Sequence, residues 1–213
     1  MKLYTYFRSS AAYRVRIALA LKGIAAELAP VHLVNGGGEQ FSAAYDEKNP
    51  QHLVPLLEHD DLLLPQSLAI IEYLDETHPQ QPLLPADARG RARVRALSQV
   101  IACDIHPIDN LRVLKYLTDK LGVSPEQKTD WYRHWVALGL EALERQVAQA
   151  PETGRYCHGD QPTMADCCLV PQLYNARRFD CDLSAYPTLT AIAARCEALP
   201  AFMSALPENQ PDA

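Results

Sequence analysis

Strand-like and helix-like runs alternate through residues 1–80 and then the strand-like runs stop, and no other feature narrows the fold of this chain so far. Lys2–Tyr6 reads as a strand. Ala11–Lys22 follows with apolar positions at Val15, Ala18 and Leu19, good helix formers throughout, and Gly23 placed to cap a helix C-terminus. Glu27–Leu33 reads as a second strand, and the handedness of crossover connections makes it parallel to the first. Gly36-Gly37-Gly38 then opens a loop, and a short helix is expected over Glu39–Tyr45 before the stop at Asn49-Pro50. Val54–Leu57 and Leu62–Leu64 flank the charged turn Glu58-His59-Asp60-Asp61, the pattern of an antiparallel hairpin. Gln66-Ser67 starts a helix whose Leu68, Ile71 and Leu74 keep the helical period. The expected order is βαβαββα, an α/β unit.

Pro79, Pro82 and Pro85 break the pattern, so the reading divides the chain into a domain over 1–80, a linker over 81–87 and an all-α domain over 88–213. Val94, Leu97, Ile101, Ile105 and Ile108 step by three and four, and Leu111, Leu114 and Leu117 carry the stripe past Pro107; this reads as one long helix kinked at the proline. Ser124-Pro125 suits the start of a second helix, with Trp131, Trp135, Leu138 and Ala142 on one face. Helices are also expected over Thr163–Arg177 and Pro187–Leu199.

Twenty basic residues against 26 acidic ones leave a formal charge of −6, which argues against a dedicated nucleic-acid binder. No apolar run reaches the roughly 18–20 residues of a membrane span, and no apolar signal region opens the chain, so a cytoplasmic protein without membrane partners is expected. The six cysteines form no Cys-x-x-Cys pair. Neither a disulfide framework nor a metal site is expected from them.

The segment Phe7-Arg8-Ser9-Ser10-Ala11-Ala12-Tyr13-Arg14-Val15-Arg16-Ile17-Ala18-Leu19 resembles the signature of the zeta class of glutathione transferases, with Ala11 in place of the usual cysteine and Tyr13 in place of tryptophan. Gln66-Ser67-Leu68-Ala69-Ile70-Ile71-Glu72-Tyr73-Leu74, Asp104-Ile105-His106-Pro107 and Thr163-Met164-Ala165-Asp166 are similar to the same class. The resemblance implies the glutathione transferase architecture, a thioredoxin-like α/β domain followed by an all-α domain, in a homodimer. It implies glutathione as cofactor and a small anionic keto acid as substrate. The implied reaction is cis-trans isomerisation of maleylacetoacetate to fumarylacetoacetate by thiolate addition, bond rotation and elimination, with maleylpyruvate as the closely related substrate. Two other readings stay open: a transferase acting on electrophiles or α-halo acids, and a non-catalytic binding module.

Each motif has a physical use beside a plainer one. Ser9 and Ser10 stand where a strand gives way to a helix, so hydroxyls and free N–H groups meet at the positive end of the helix dipole, a place to hold a thiolate. Plain helix capping is the alternative for either serine. Val54-Pro55 resembles the cis-proline step of thioredoxin-like domains, at which the backbone of Val54 meets the cysteinyl part of glutathione. Gln66 and Ser67, at a helix N-terminus, suit its γ-glutamyl carboxylate. Gln40 and His106 are carried over from the family as contacts to the glycyl end. Arg8, Arg112 and Arg178 are the candidate cations for substrate carboxylates, because a guanidinium binds carboxylate in a planar fork and stays charged. For each of the three the plainer reading is a solvated surface side chain. Thr163 and Asp166 read as a structural capping pair.

Overall fold

The computed structural model describes residues 1–213, which pack as two units: Met1–Leu83 together with Glu197–Ala213, and Leu84–Cys196. In the first unit, β1 (Lys2–Thr5), β2 (Glu27–Pro30), β3 (Leu56–His59) and β4 (Leu62–Pro65) form one sheet in the order β2-β1-β3-β4. β1 and β2 are parallel, with Tyr4 opposite Ala29, and the other two pairings are antiparallel. Helices α1 (Ser10–Lys22), α2 (Ala43–Asp46) and α3 (Ser67–Thr77) complete the expected βαβαββα order.

The elements are shorter than their hydropathy suggested, for local reasons. β2 stops at Pro30 and not at Leu33, because the chain turns at His32, whose Nδ1 accepts the N–H groups of Val34 and Asn35 at 3.2 and 2.9 Å. The helix expected over Glu39–Tyr45 is a 3-10 turn, Glu39–Phe41, followed by α2, since Ser42 caps a new start by accepting from Tyr45 N–H at 3.3 Å. α1 ends at Gly23, whose φ of 65° is the left-handed cap conformation that a side chain would resist.

On the core side of α1 and α3, Leu3, Val15, Ile17, Leu57, Ile70, Ile71 and Leu74 are fully buried. Lys22 joins the two helices: its ammonium, fully buried, lies 2.8 Å from Asp75 and also donates to the carbonyls of Gln80 and Gln81. A second, smaller cluster of Tyr6, Val31, Tyr45, Val54 and Leu56 packs Tyr4, Phe7 and Leu33 against it. Residues 197–213, which the sequence pattern put with the helical half, pack in the first unit: α9 (Pro200–Ser204) lies on α1, and the buried Arg16 donates to Ala205 O at 3.3 Å.

The second unit is helical: α4 (Ala88–Gln99), α5 (Leu111–Asp119), α6 (Pro125–Ala148), α7 (Met164–Arg178) and α8 (Pro187–Glu197), the last ending at the unit boundary. The single kinked helix expected around Pro107 is instead two helices. A π-helical segment, Val100–Ile105, continues α4, and the chain then turns before Asn110 starts α5 by accepting from Arg112 N–H at 3.1 Å. Val94, Leu97, Ile101, Ile105, Leu114 and Leu117 are nevertheless buried, whereas Ile108 in the turn is only partly so and Leu111, at the start of α5, is exposed.

α6 starts at Pro125 as expected, with Ser124 at the N-cap in a capping box with Gln127, yet its buried face is Tyr132, Val136, Leu140, Leu143 and Val147. The expected face of Trp131, Trp135, Leu138 and Ala142 lies one residue round, and Leu138 is 54% exposed. Both stripes keep the helical period, so periodicity alone does not choose between them. All six cysteines are unpaired thiols, and no helix is long and apolar enough to cross a membrane.

Candidate active site

β1 leads into α1 through a four-residue turn that places Ser9 at the helix N-cap. The turn closes with Ser9 N–H donating to Tyr6 O at 2.9 Å, and Ser9 Oγ accepts from Ala12 N–H at 3.2 Å. Ser9 therefore does cap α1, and the cap uses only its lone pair. The half-buried hydroxyl keeps its proton for a further acceptor, beside the N–H of Ala11, which has no partner within the chain. Ser10, at the first helical position, is 5% exposed. Arg8 is exposed, its guanidinium 4.8 Å from the ring centre of Phe7. The end of a helix thus offers an O–H donor, an N–H donor and a cation within consecutive residues, a site for developing negative charge.

Three further groups of the same unit are built to receive a polar ligand. The Val54-Pro55 peptide is cis, and Val54, itself buried, uses neither its N–H nor its C=O within the chain. Gln66 holds φ at 75° before α3, and no side chain caps the first turn of that helix. Its neighbour Ser67 is buried and accepts at Oγ from Arg14 Nη1 at 3.2 Å, so a buried guanidinium backs the helix N-terminus. Gln40 is buried with Nε2 donating to Leu33 O at 3.4 Å, while its Oε1 has no partner. Gly38 makes room for that amide: a Cβ there would meet the Gln40 side chain at 2.6 Å, and its φ of 114° disfavours any side chain.

His106, Arg112 and Arg178 belong to the second unit. His106 Nε2 lies 3.4 Å from Asn110 Nδ2, Arg112 is exposed in the first turn of α5, and Arg178 at the end of α7 bonds Asn175 Oδ1 at 3.0 Å. Near them, Phe179 stacks on Tyr132 at 3.8 Å, and Tyr132 feels the charges of both Asp109 and Arg178. Asp109, 8% exposed, has two buried carboxyl oxygens without a hydrogen bond, and burial pushes its pKa up to about 7.

That environment has a measurable consequence. Between pH 4 and 7 the folded chain holds a proton at Asp109 that the unfolded chain has released, so this residue costs stability as pH rises through that window. Asp109→Asn, neutral throughout, is expected to gain about 7 °C in Tm relative to the wild type between pH 5 and pH 8, equivalent to roughly 2–3 kcal/mol. Melting curves at the two pH values check it; an unchanged difference would show that Asp109 is already ionised in the fold.

Arg14, Arg16 and Asp109 were not singled out from the sequence. Arg14 and Arg16 are 2% and 4% exposed, and the available signal was two arginines two apart inside an otherwise apolar helix.

Residues 3–82 match the family model for the glutathione S-transferase N-terminal domain, and residues 136–208 match the model for the C-terminal domain. A probable maleylacetoacetate isomerase of Vibrio cholerae is 56% identical over 211 residues, 99% of this chain and 97% of that protein. Among solved structures, a holo maleyl pyruvate isomerase described as a bacterial glutathione S-transferase of the zeta class matches with a TM-score of 0.96 at 48% identity, over 100% of both chains. Maleylacetoacetate isomerase from Anaeromyxobacter dehalogenans 2CP-1, with dicarboxyethyl glutathione and citrate bound in its active site, matches with a TM-score of 0.87 at 49% identity, over 100% of this chain and 96% of that one.

Proposed function

The chain belongs to the glutathione S-transferase family, zeta class, and from that premise we propose that it catalyses the glutathione-dependent cis-trans isomerisation of maleylacetoacetate to fumarylacetoacetate. The observation that carries this reading is Ser9, an N-cap hydroxyl with its proton available, in the same unit as three other groups that each leave a donor or acceptor unused within the chain. Those groups fit glutathione, a peptide with a carboxylate at each end. Val54, with a free N–H and C=O, suits its cysteinyl backbone. The uncapped start of α3, with Arg14 behind Ser67 and Gln66 beside it, suits the γ-glutamyl carboxylate. Gln40, with an orphaned Oε1, suits the glycyl end; for His106 the same role is carried by the family resemblance alone.

Glutathione, when bound, supplies the thiolate that adds to the cis double bond and is returned unchanged. The chain's part is electrostatic. The Ser9 hydroxyl and the Ala11 N–H donate toward the sulfur and favour its ionised form. Ser10 stiffens the helix start from its buried position. Arg8 offsets negative charge beside the sulfur, and Arg112 and Arg178, carried over from the family resemblance, are the candidate cations for the carboxylates of the keto acid. No residue of the chain has to act as a sulfur nucleophile, which accords with Ala11 standing at the cysteine position of the family signature.

Maleylpyruvate is the second reading, favoured by the likeness to the maleyl pyruvate isomerase structure. We further infer a homodimer working in the cytoplasm in aromatic amino-acid catabolism, with residues 1–80 holding glutathione and 88–213 holding substrate; family membership is the support. Following the decay of each keto acid with and without glutathione tests the reading. Turnover of maleylacetoacetate only with glutathione is expected, and the ratio of the two rates ranks the substrates. Glutathione-independent decay, or none of either substrate, would contradict it.

A further inference from the structure

We propose that Asp212 is a positioning residue for Ser9 and Arg8, clamping the turn that carries them in partnership with the buried Arg16; the proposal rests on the functional reading above. The turn Tyr6–Ser9 has no sheet partner of its own, yet its peptide groups are held on both sides. Asp212 Oδ2 accepts from Phe7 N–H at 2.9 Å. Arg16 Nη2 donates to Phe7 O at 3.0 Å, and Arg16 Nη1 donates to Tyr6 O at 3.3 Å and to Thr5 Oγ1 at 3.0 Å.

Tyr6 O also receives Ser9 N–H at 2.9 Å, so the clamp acts on the atom that closes the turn. Phe7, gripped at both its N–H and its C=O, is in turn the ring on which Arg8 rests. The segment bearing Asp212 is anchored separately, through Gln210 Nε2 to the carbonyls of Ser204 and Leu206 at 3.1 and 2.7 Å.

Charge supports the same arrangement. Burial pulls the Arg16 guanidinium down to about 10, and Asp212 is the nearby charge that opposes the fall, so Arg16 stays cationic at neutral pH. The second oxygen of Asp212 is buried without a hydrogen bond, so the carboxylate's remaining partner is the charge of Arg16. A carboxylate this close to Ser9 would oppose a thiolate if it stood alone; opposite Arg16 it contributes an acceptor without net charge.

The test is the titration of the bound glutathione thiol, read by ultraviolet thiolate absorbance, on wild type, Asp212→Ala and Asp212→Asn, with kcat, KM for glutathione and thermal melting on each. Asp212→Ala is expected to raise the titration midpoint by about one unit and to lower kcat about tenfold, in line with the cost of a small misplacement, while KM for glutathione stays within about twofold. Asp212→Asn keeps an oxygen for Phe7 N–H and is expected to restore the midpoint. If Asp212→Ala melts below the assay temperature, Asp212→Ser, too short to reach Phe7, takes its place. An unmoved midpoint in the short variant, or an equal shift in Asp212→Asn, would overturn the proposal. Absence of thiolate absorbance in the wild type would overturn the functional reading itself, and the positioning role with it.

Discussion

Ser9→Ala is expected to lower kcat by about a hundred- to a thousandfold, the usual cost of removing one donor aimed at developing negative charge. The size follows from what Ser9 does with each part of its hydroxyl. Its oxygen accepts from Ala12 N–H at 3.2 Å, which fixes the rotamer and leaves the proton for the sulfur. Alanine removes both, and the lost cap is worth only ~1 kcal/mol, a few degrees in Tm for a chain of this size. Activity should therefore fall far more than stability does. Ser9→Thr keeps cap and donor and should retain most of the rate. Ser10→Ala, at a buried position, should act on stability more than on rate. Parallel measurements of kcat and melting on the three variants decide it. Near wild-type turnover by Ser9→Ala would reduce Ser9 to a plain helix cap.

The second large effect is on folding. Asp166 is fully buried, its Oδ1 accepting from Cys157 N–H at 2.9 Å and its Oδ2 from Thr163 N–H at 2.8 Å and Thr163 Oγ1 at 2.9 Å. The Thr163 hydroxyl donates to Asp166, so the carboxyl gathers three donors and ties the start of α7 to the loop at Cys157. Asp166→Ala strands all three in a region that water does not reach, and unsatisfied buried donors cost about 1–3 kcal/mol each. Because the loop can partly relax, a loss of ~4 kcal/mol is expected, lowering Tm by about 10 °C or more. Turnover per folded molecule, measured well below the new Tm, should be preserved. Wild-type melting with lost turnover would instead put Asp166 in the chemistry.

Much of this molecule is legible in the residues alone, and the reason is periodicity. Short apolar runs bounded by turn residues, such as Val54–Leu57, and period-three-or-four runs such as Leu68–Leu74 differ in sequence as they differ in space, which is enough for the βαβαββα order. Helix starts are legible for a related reason: Ser9, Gln66-Ser67, Ser124 and Thr163-Asp166 are residue types that helix ends require, and the first two mark the site. The same signal misleads where side-chain period survives a change in backbone. The stripe from Val94 to Ile105 stays buried through a π-helical segment and resumes at Leu114 and Leu117 beyond the turn, so it reads as one helix although Leu111 is exposed. On α6 two apolar stripes lie one residue apart, and tertiary packing chooses Tyr132 and Val136 over Trp131 and Trp135.

Polar groups whose role depends on distant partners leave no local mark. Asp212 meets Phe7 across 205 residues of sequence, and the burial of Arg14 and Arg16 depends on what α1 packs against. Asp109 falls in the stretch that reads as a kinked helix, and nothing there marks it as buried until the fold encloses it. The cis peptide before Pro55 has no local mark either, and the resemblance to the cis-proline step of thioredoxin-like domains is what anticipates it.

The central claim is that glutathione enters the reaction and leaves it intact. Its most direct test is to follow keto acid and glutathione together, by NMR, in one reaction with glutathione limiting. The account predicts that many equivalents of maleylacetoacetate become the trans isomer while the glutathione signal ends where it began. Loss of one glutathione per substrate consumed would contradict it and identify a conjugating transferase.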